Sequence, residues 1–232
     1  MPKKKFMEKF FVNLNRKAAE KGLAKAQHRL GLCYCVGDGV IQDYSQAEFW
    51  FRKAAEQGLA EAQYDLGRCF YNGDGVNKNL TQALNWFRKA AEQGNADAQF
   101  NLGVCYTNGE GVEKDYTQAV YWYRKAVEQG NANAQYNLGV CYANGNGVEK
   151  DHTQAVYWYR KAAEQGNANA QFRLGLCYVK GTGITKNFNI ALYWFEKTVD
   201  NKDGSLSEEK TSAETFIKDF TALGYSSNNA KL

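Results

Sequence analysis

Six cysteines and two histidines are the residues of this sequence best suited to bind a metal ion or to undergo thiol chemistry. Cys33 and Cys35 stand two residues apart, and His28 shares a helical face with Cys35, whereas His152 lies far along the chain. A structural zinc site normally needs about four such ligands, and these residues supply too few on one face. The sequence therefore predicts no metal site and no cofactor.

Ser207 and Lys210 have the Ser-x-x-Lys spacing of enzymes in which an activated serine attacks an acyl group. Neither Ser-Asp-Asn nor Lys-Thr-Gly, the motifs that accompany this spacing in such enzymes, occurs in the sequence. Gly37 and Gly39 form a Gly-x-Gly pair that recurs along the chain, which indicates a structural turn rather than a nucleotide-binding loop. Because no catalytic set is complete, we predict that the protein is not an enzyme.

The elements that must position these residues follow a repeat of 36 residues. All five tryptophans obey this spacing, and so do all the cysteines except Cys35. The positions are Trp50, Trp86, Trp122, Trp158 and Trp194, and Cys33, Cys69, Cys105, Cys141 and Cys177. A fixed period of roughly 20 to 50 residues is typical of a solenoid, in which each repeat buries its apolar face against its neighbours.

Each repeat has the pattern of two helices joined by a glycine-rich turn. In the third repeat, residues 96–106 place Ala98 and Leu102 on one face, which predicts a first helix with a buried stripe. After the turn, Asp115 occupies an N-cap position, and a second helix is predicted over residues 116–129. The apolar side of this second helix comprises Ala119, Trp122, Tyr123 and Ala126. Each repeat is therefore predicted to be a helix hairpin.

The two ends of the chain depart from the repeat pattern. Residues 1–22 match the second half of a repeat alone and are interpreted as a capping half-repeat, and residues 23–202 hold five full repeats. In residues 203–232 the pattern decays. Ser205 and Glu208 have the spacing of a capping box, and apolar residues follow at helical spacing. We expect a C-terminal capping helix followed by a frayed tail.

The repeated pattern resembles that of the Sel-one-like repeat (SLR) family. It reads A-x-A-Q-x-x-L-G-x-C-(Y/F), then G-x-G-(V/I), A-x-x-W-(F/Y) and K-A-(A/V)-E-Q-G. Tetratricopeptide repeats differ, because their period is about 34 residues and they carry a helix-terminating proline, whereas this chain has none after Pro2. The resemblance covers residues 7–201. It implies an all-α, right-handed α/α superhelical solenoid whose first helices line a concave groove, and a role as a scaffold or adaptor.

The resemblance also implies an alternative function. Some family members carry a β-lactamase or penicillin-binding label, so Ser207 and Lys210 stay open as candidates for binding or hydrolysing β-lactams or cell-wall peptides. The Helicobacter cysteine-rich branch is similar too, but its repeats carry two cysteines joined as a disulfide. This chain has one cysteine per repeat, and stacked helices about 8 to 10 Å apart are too distant for disulfides between repeats.

Charge and hydropathy exclude several classes of protein. The net charge is only +4, and lysine and arginine alternate with acidic residues, so we expect no nucleic-acid partner. No apolar run reaches the roughly 18 to 20 residues of a membrane span. The lysine-rich start leads into further charged residues, so no secretion signal is recognised. We expect a monomeric, cytoplasmic protein with reduced thiols, and export by a route without a cleavable signal stays open.

Comparison of the repeats with one another divides the first helix into two faces. Positions equivalent to 98, 99, 102, 103, 105 and 106 are nearly constant, whereas those equivalent to 97, 100, 101, 104, 107 and 108 vary. Constant residues are expected to pack against identical neighbours, which leaves the variable face to bind a protein or an extended peptide. The candidate residues are Tyr64, Arg68, Phe100, Asn101, Val104, Asn108, Tyr136, Asn137, Val140, Asn144, Phe172 and Arg173.

Two alternatives to this site stay open. The aromatic residues of the variable face can instead serve only to pack adjacent first helices together. The tyrosines of the second helices, such as Tyr121 and Tyr157, offer a different surface on the convex side.

Overall fold

The computed structural model describes residues 12–201 and 207–230, and within these ranges it contains helices and no β-strand. The first helix, α1, covers residues 12–20. The others are α2 (Ala24–Val36), α3 (Tyr44–Glu56), α4 (Ala60–Asn72), α5 (Leu80–Glu92), α6 (Ala96–Asn108), α7 (Tyr116–Glu128), α8 (Ala132–Asn144), α9 (His152–Glu164), α10 (Ala168–Lys180), α11 (Phe188–Asp200) and α12 (Ser207–Ala222). A short 3-10 helix spans Ser227–Asn229. The predicted all-α array of helix hairpins is confirmed.

The chain divides into two compact units at residue 115. The N-terminal unit contains α1 to α6, and the C-terminal unit contains α7 to α12. Even-numbered helices from α2 to α10 are the first helices of the five repeats, and odd-numbered helices from α3 to α11 are the second helices.

Polar side chains begin the second helices, and glycines end the first ones. The side chain of Asp43 accepts a hydrogen bond of 3.0 Å from the backbone N–H of Gln46, and Asn79 caps α5 in the same way. Gly37 and its equivalents adopt left-handed φ values and donate their N–H groups to the carbonyl of the cysteine four residues earlier. These caps satisfy backbone groups that a helix end leaves without partners.

The second glycine of each turn touches the preceding repeat. Gly147 has a φ of 70°, and a Cβ atom built there would lie 2.9 Å from the backbone nitrogen of Thr117 and closer still to the carbonyl oxygen of Tyr116. Only a residue without a side chain allows this approach of two backbones. The turn of each such repeat is therefore fixed against the start of the second helix before it.

The core is built from leucines, helical glycines and one aromatic ring per repeat. Leu66 is fully buried on α4, and a Cβ atom at the neighbouring Gly67 would lie 2.6 Å from the ring of Phe87 on α5. The prediction that Trp122 belongs to the buried side is only partly right. Trp122 is half-buried, and the next residue, Tyr123, is 1% exposed. The glycine of the first helix has no side chain, and the aromatic ring of the residue after the tryptophan occupies the space beside it.

Two recurring hydrogen bonds join one repeat to the next. The buried Gln27 of α2 donates from Nε2 to the carbonyl oxygen of Ala19, at 3.1 Å, in the helix before it. Arg16 donates to the Tyr34 hydroxyl at 3.1 Å. The same arginine–tyrosine bond recurs at Arg88–Tyr106, Arg124–Tyr142 and Arg160–Tyr178, with lengths of 3.1, 3.0 and 2.8 Å. Polar side chains therefore fix the register between successive hairpins.

The helix α12 packs on the last repeat through aromatic rings. Phe216 stacks on Phe195 of α11 with ring centroids 4.9 Å apart and planes 10° apart. Phe220 lies 5.2 Å from Phe188, and Ala213 is fully buried. Leu223, which the helical spacing places with these residues, is instead 73% exposed because it follows the end of α12.

Candidate functional site

Burial follows the division of the first helix into constant and variable faces. Ala98, Gln99, Leu102, Gly103 and Cys105 of α6 are buried. All twelve candidate residues, by contrast, are half-buried or exposed. In the N-terminal unit these are Tyr64 and Arg68 on α4, and Phe100, Asn101, Val104 and Asn108 on α6. The variable face therefore presents side chains that a partner can reach.

Polar contacts cross the variable face of the N-terminal unit from repeat to repeat. His28 on α2 lies with its Nε2 2.7 Å from the Oδ2 of Asp65 on α4. Partial burial raises the pKa of Tyr64, and a hydrogen bond from Asn101 on α6 opposes that rise. The polar side chains on this face therefore already contact one another, which the sequence comparison does not indicate.

The aromatic residues of the variable face are anchored on the core of their own repeat. Tyr64 lies 6.0 Å from Phe87 on α5, and His28 lies 5.6 Å from Phe51 on α3, with tilted rings in both pairs. Each ring thus rests on the second helix of the same hairpin and remains partly exposed. The core of the hairpin therefore holds these rings in place.

The C-terminal unit carries the other six candidates, Tyr136, Asn137, Val140 and Asn144 on α8 and Phe172 and Arg173 on α10. Asn137 donates from Nδ2 to the Tyr123 hydroxyl at 3.1 Å. Burial is the largest single influence on Arg173 and lowers its pKa. The hydrogen bond with Tyr136 and the electrostatic effects of nearby groups, including Glu209, together outweigh it and raise the pKa of the guanidinium. The arginine is therefore held as a cation on this face.

A cleft of about 340 Å³ opens beside these residues in the C-terminal unit. Its described lining is Ala143, Asn144, Lys150, His152, Ala155, Tyr159, Arg173, Leu176, Cys177, Lys180 and Thr182. Three of these side chains are permanent cations, and none of the described ones is acidic. The amide of Asn144 adds both a donor and an acceptor. This cleft, which we call the basic cleft, suits a carboxylate next to an apolar or amide group.

The residues singled out for other chemistry lie in different parts of the chain. Within residues 12–201 and 207–230, no three histidine, cysteine or acidic side chains are grouped as metal ligands. Lys210 donates from Nζ to the backbone carbonyl of Asn201. Ser207 is the first residue of α12, but its side chain lies outside the described residues, as does Ser205.

Burial raises the pKa of the three periodic thiols that lie in the core. It raises the pKa of Cys69 and of Cys105 to about 12, and that of Cys141 to about 11. Since the thiolate is the reactive form, a raised pKa leaves little of it at neutral pH. Cys33 and Cys35 are less buried.

We therefore expect iodoacetamide at pH 8 to modify Cys33 and Cys35 at least about tenfold faster than Cys105 in the native protein. Peptide mapping by mass spectrometry measures the order of modification. Unfolding in urea should make all six thiols equally reactive, which serves as the control. Early modification of Cys105 in the native protein, or thiols that stay unreactive after unfolding, would contradict this expectation.

No helix in the described part of the chain is long and apolar enough to cross a membrane. A comparison with curated proteins found no match.

Three solved structures are similar to this chain. A Sel1 repeat protein from Oxalobacter formigenes is 38% identical, with a TM-score of 0.79, over 88% of this chain and 78% of that one. The c5321 protective antigen of uropathogenic Escherichia coli, which displays an SLR fold, is 35% identical with a TM-score of 0.79. That match covers 91% of this chain and 48% of the antigen. The immunity protein Pa5087 from Pseudomonas aeruginosa is 26% identical, with a TM-score of 0.53, over 81% and 72%.

A sequence profile of the Sel1 repeat matches five consecutive segments of the chain. They are residues 24–59, 60–95, 96–131, 132–167 and 168–203. These boundaries fall at the starts of the first helices α2, α4, α6, α8 and α10. The profile thus covers most of the sequence and confirms the resemblance seen in the repeated pattern. The chain belongs to the Sel1 repeat family.

Proposed function

We propose that this protein is a non-enzymatic, cytoplasmic adaptor that holds an extended segment of a partner protein on the variable face of its first helices. The observation that carries the proposal is the basic cleft, which lies at the candidate residues Asn144 and Arg173. Sel1 repeat proteins act generally as scaffolds for protein interactions, which supports the same class of function.

The chemistry of the basic cleft favours a segment with acidic side chains. Arg173, Lys150 and Lys180 can each donate to a carboxylate, and the guanidinium offers a planar pair of donors. Tyr136 on α8 and Phe172 on α10 are half-buried and offer apolar contact. An extended peptide with alternating acidic and aromatic residues presents both features, because successive side chains of an extended chain point to opposite sides.

We expect a fluorescein-labelled peptide of alternating Glu and Phe to bind the protein, and a peptide of alternating Lys and Phe to bind much more weakly. Replacing both exposed lysines of the cleft, Lys150→Glu and Lys180→Glu, should weaken binding of the acidic peptide by about tenfold or more. Fluorescence anisotropy measures both affinities.

The matched control is the double variant Lys161→Glu and Lys218→Glu, which makes the same change of charge at exposed positions of α9 and α12 that do not line the cleft. It should bind the acidic peptide like the unmodified protein. If both peptides bind equally, or if the control loses as much affinity as the double variant of the cleft, the basic cleft is not the binding site.

A further inference from the structure

A second cavity, of about 430 Å³, lies among α9, α10 and α11 in the C-terminal unit. Its walls include Arg160 and Glu164 from α9, Gln171 from α10, and Trp194 and Lys197 from α11. None of its described lining residues belongs to the twelve candidates of the variable face. The cavity is therefore a separate feature from the basic cleft.

Gln171, the buried glutamine of this cavity, has equivalents in the other repeats. In three of those repeats the side-chain oxygen of the equivalent glutamine accepts a hydrogen bond. In each, a glutamine at the end of the second helix donates its amide to the Oε1 of the buried glutamine in the first helix. The pairs are Gln57 to Gln27, Gln93 to Gln63 and Gln165 to Gln135, at 2.6, 2.7 and 2.8 Å. The partners are 30 residues apart in every pair.

The fifth repeat interrupts this series. The position 30 residues after Gln171 is Asn201, whose side chain is one methylene shorter and donates to the carbonyl oxygen of Gly166 at 2.8 Å. Gln171 still donates from Nε2 to the carbonyl oxygen of Ala163 at 3.2 Å. Its Oε1 is buried and has no hydrogen-bond partner in the described structure. A buried acceptor left in this way costs free energy that a matching donor recovers.

We infer that this cavity binds the side chain of a glutamine in a partner peptide. The inserted carboxamide donates an N–H to Oε1 of Gln171, as Gln165 does to Gln135 within the chain. Its methylene groups contact Trp194, which lines the cavity, and Lys197 and Arg160 lie near enough to meet carbonyl groups of the peptide backbone. The chain's own repeats thus supply the template for the ligand.

The inferred contact selects glutamine over glutamate. A glutamate side chain has the same shape but, when ionised, offers no donor to Oε1 of Gln171. Sites that hydrogen-bond one polar group reject analogues that lack it, because the buried group is then left unpaired.

The test is an NMR titration of the full 15N-labelled chain with acetyl-Ala-Gln-Ala-dimethylamide, whose only primary carboxamide is the glutamine side chain. The indole N–H of Trp194 and the side-chain amide of Gln171 should shift together and saturate. The glutamate peptide of otherwise identical sequence should bind at least about tenfold more weakly. Equal responses to the two peptides, or no shift with either, would overturn the inference.

The variant Asn201→Gln restores the internal donor and should abolish the response to the glutamine peptide while raising the melting temperature. Asp200→Gln adds the same residue at the neighbouring exposed position and should bind the peptide like the unmodified chain. Gln171→Met, which removes the acceptor, should also abolish binding and checks the result independently. If Asn201→Gln keeps the full response, the cavity does not recognise a carboxamide. Because Lys150 and Lys180 do not line this cavity, the outcome is independent of the test of the variable face.

Discussion

Deleting residues 203–232 should lower the melting temperature of the protein and make it self-associate. The deletion removes Phe216 and Phe220, which cover Phe195 in the last repeat so that it is 0% exposed. Full burial of a phenylalanine contributes about 1.5 to 3 kcal/mol. Because Phe220 is buried and Phe216 is half-buried, we expect a loss of about 2 to 5 kcal/mol in the free energy of unfolding. The uncovered aromatic surface then favours contact between copies of the chain.

Circular dichroism measures the change in thermal unfolding, and light scattering measures the molar mass in solution. The double variant Phe216→Ala and Phe220→Ala in the full chain should reproduce most of the loss without shortening it. Lys218→Ala and Asp219→Ala, at exposed positions of the same helix, should leave stability nearly unchanged. A truncated chain that melts like the full protein and stays monomeric would show that α12 does not act as a cap.

The substitution Gly147→Ala should lower the free energy of unfolding by about 2 to 5 kcal/mol. The new Cβ meets the backbone of Tyr116 and Thr117, which cannot rotate away as a side chain can. Overpacking of this kind costs about 1 to 3 kcal/mol, and a left-handed φ costs an alanine roughly 1 to 2 kcal/mol more. Urea unfolding followed by circular dichroism gives the free energies.

Gly130→Ala separates the two contributions. Gly130 also has a left-handed φ, of 82°, but a Cβ atom there would have no neighbour within 4 Å. This variant should lose only the roughly 1 to 2 kcal/mol of backbone strain. If the two variants lose the same free energy, the close approach of the turn to the preceding helix does not contribute to stability.

The helices and turns of this protein could be predicted from its sequence because every repeat restates the same signals. The recurring Gly-x-Gly pair predicts a structural turn, and Gly109 and Gly111, which form this pair in the third repeat, both have left-handed φ values above 70°. The tryptophans misled the prediction of the core, since size and periodicity do not show which of two adjacent aromatic residues faces the first helix. Tyr123 takes the buried place: it is 1% exposed, and its hydroxyl accepts a hydrogen bond from Asn137 on α8.

The exposure of the candidate site could be predicted, but its polar partners could not. The hydrogen bond from Asn137 to Tyr123 joins residues on different helices, and no spacing within one helix indicates it. The sequence does indicate the glutamine pairs, because Gln27 and Gln57 are each followed by further glutamines at intervals of 36 residues. That signal becomes informative only once the distance between their amides is known.

The bonds between hairpins also bear on how such a gene can change in length. Arg88 contacts Tyr106 at a separation of 18 residues, and Gln93 contacts Gln63 at 30, both shorter than one repeat. Duplication or loss of a whole 36-residue segment by unequal recombination therefore recreates every junction with its original partners. An insertion of another length between two bonded residues would change their spacing, so gain or loss of whole repeats is the change of length that keeps these bonds.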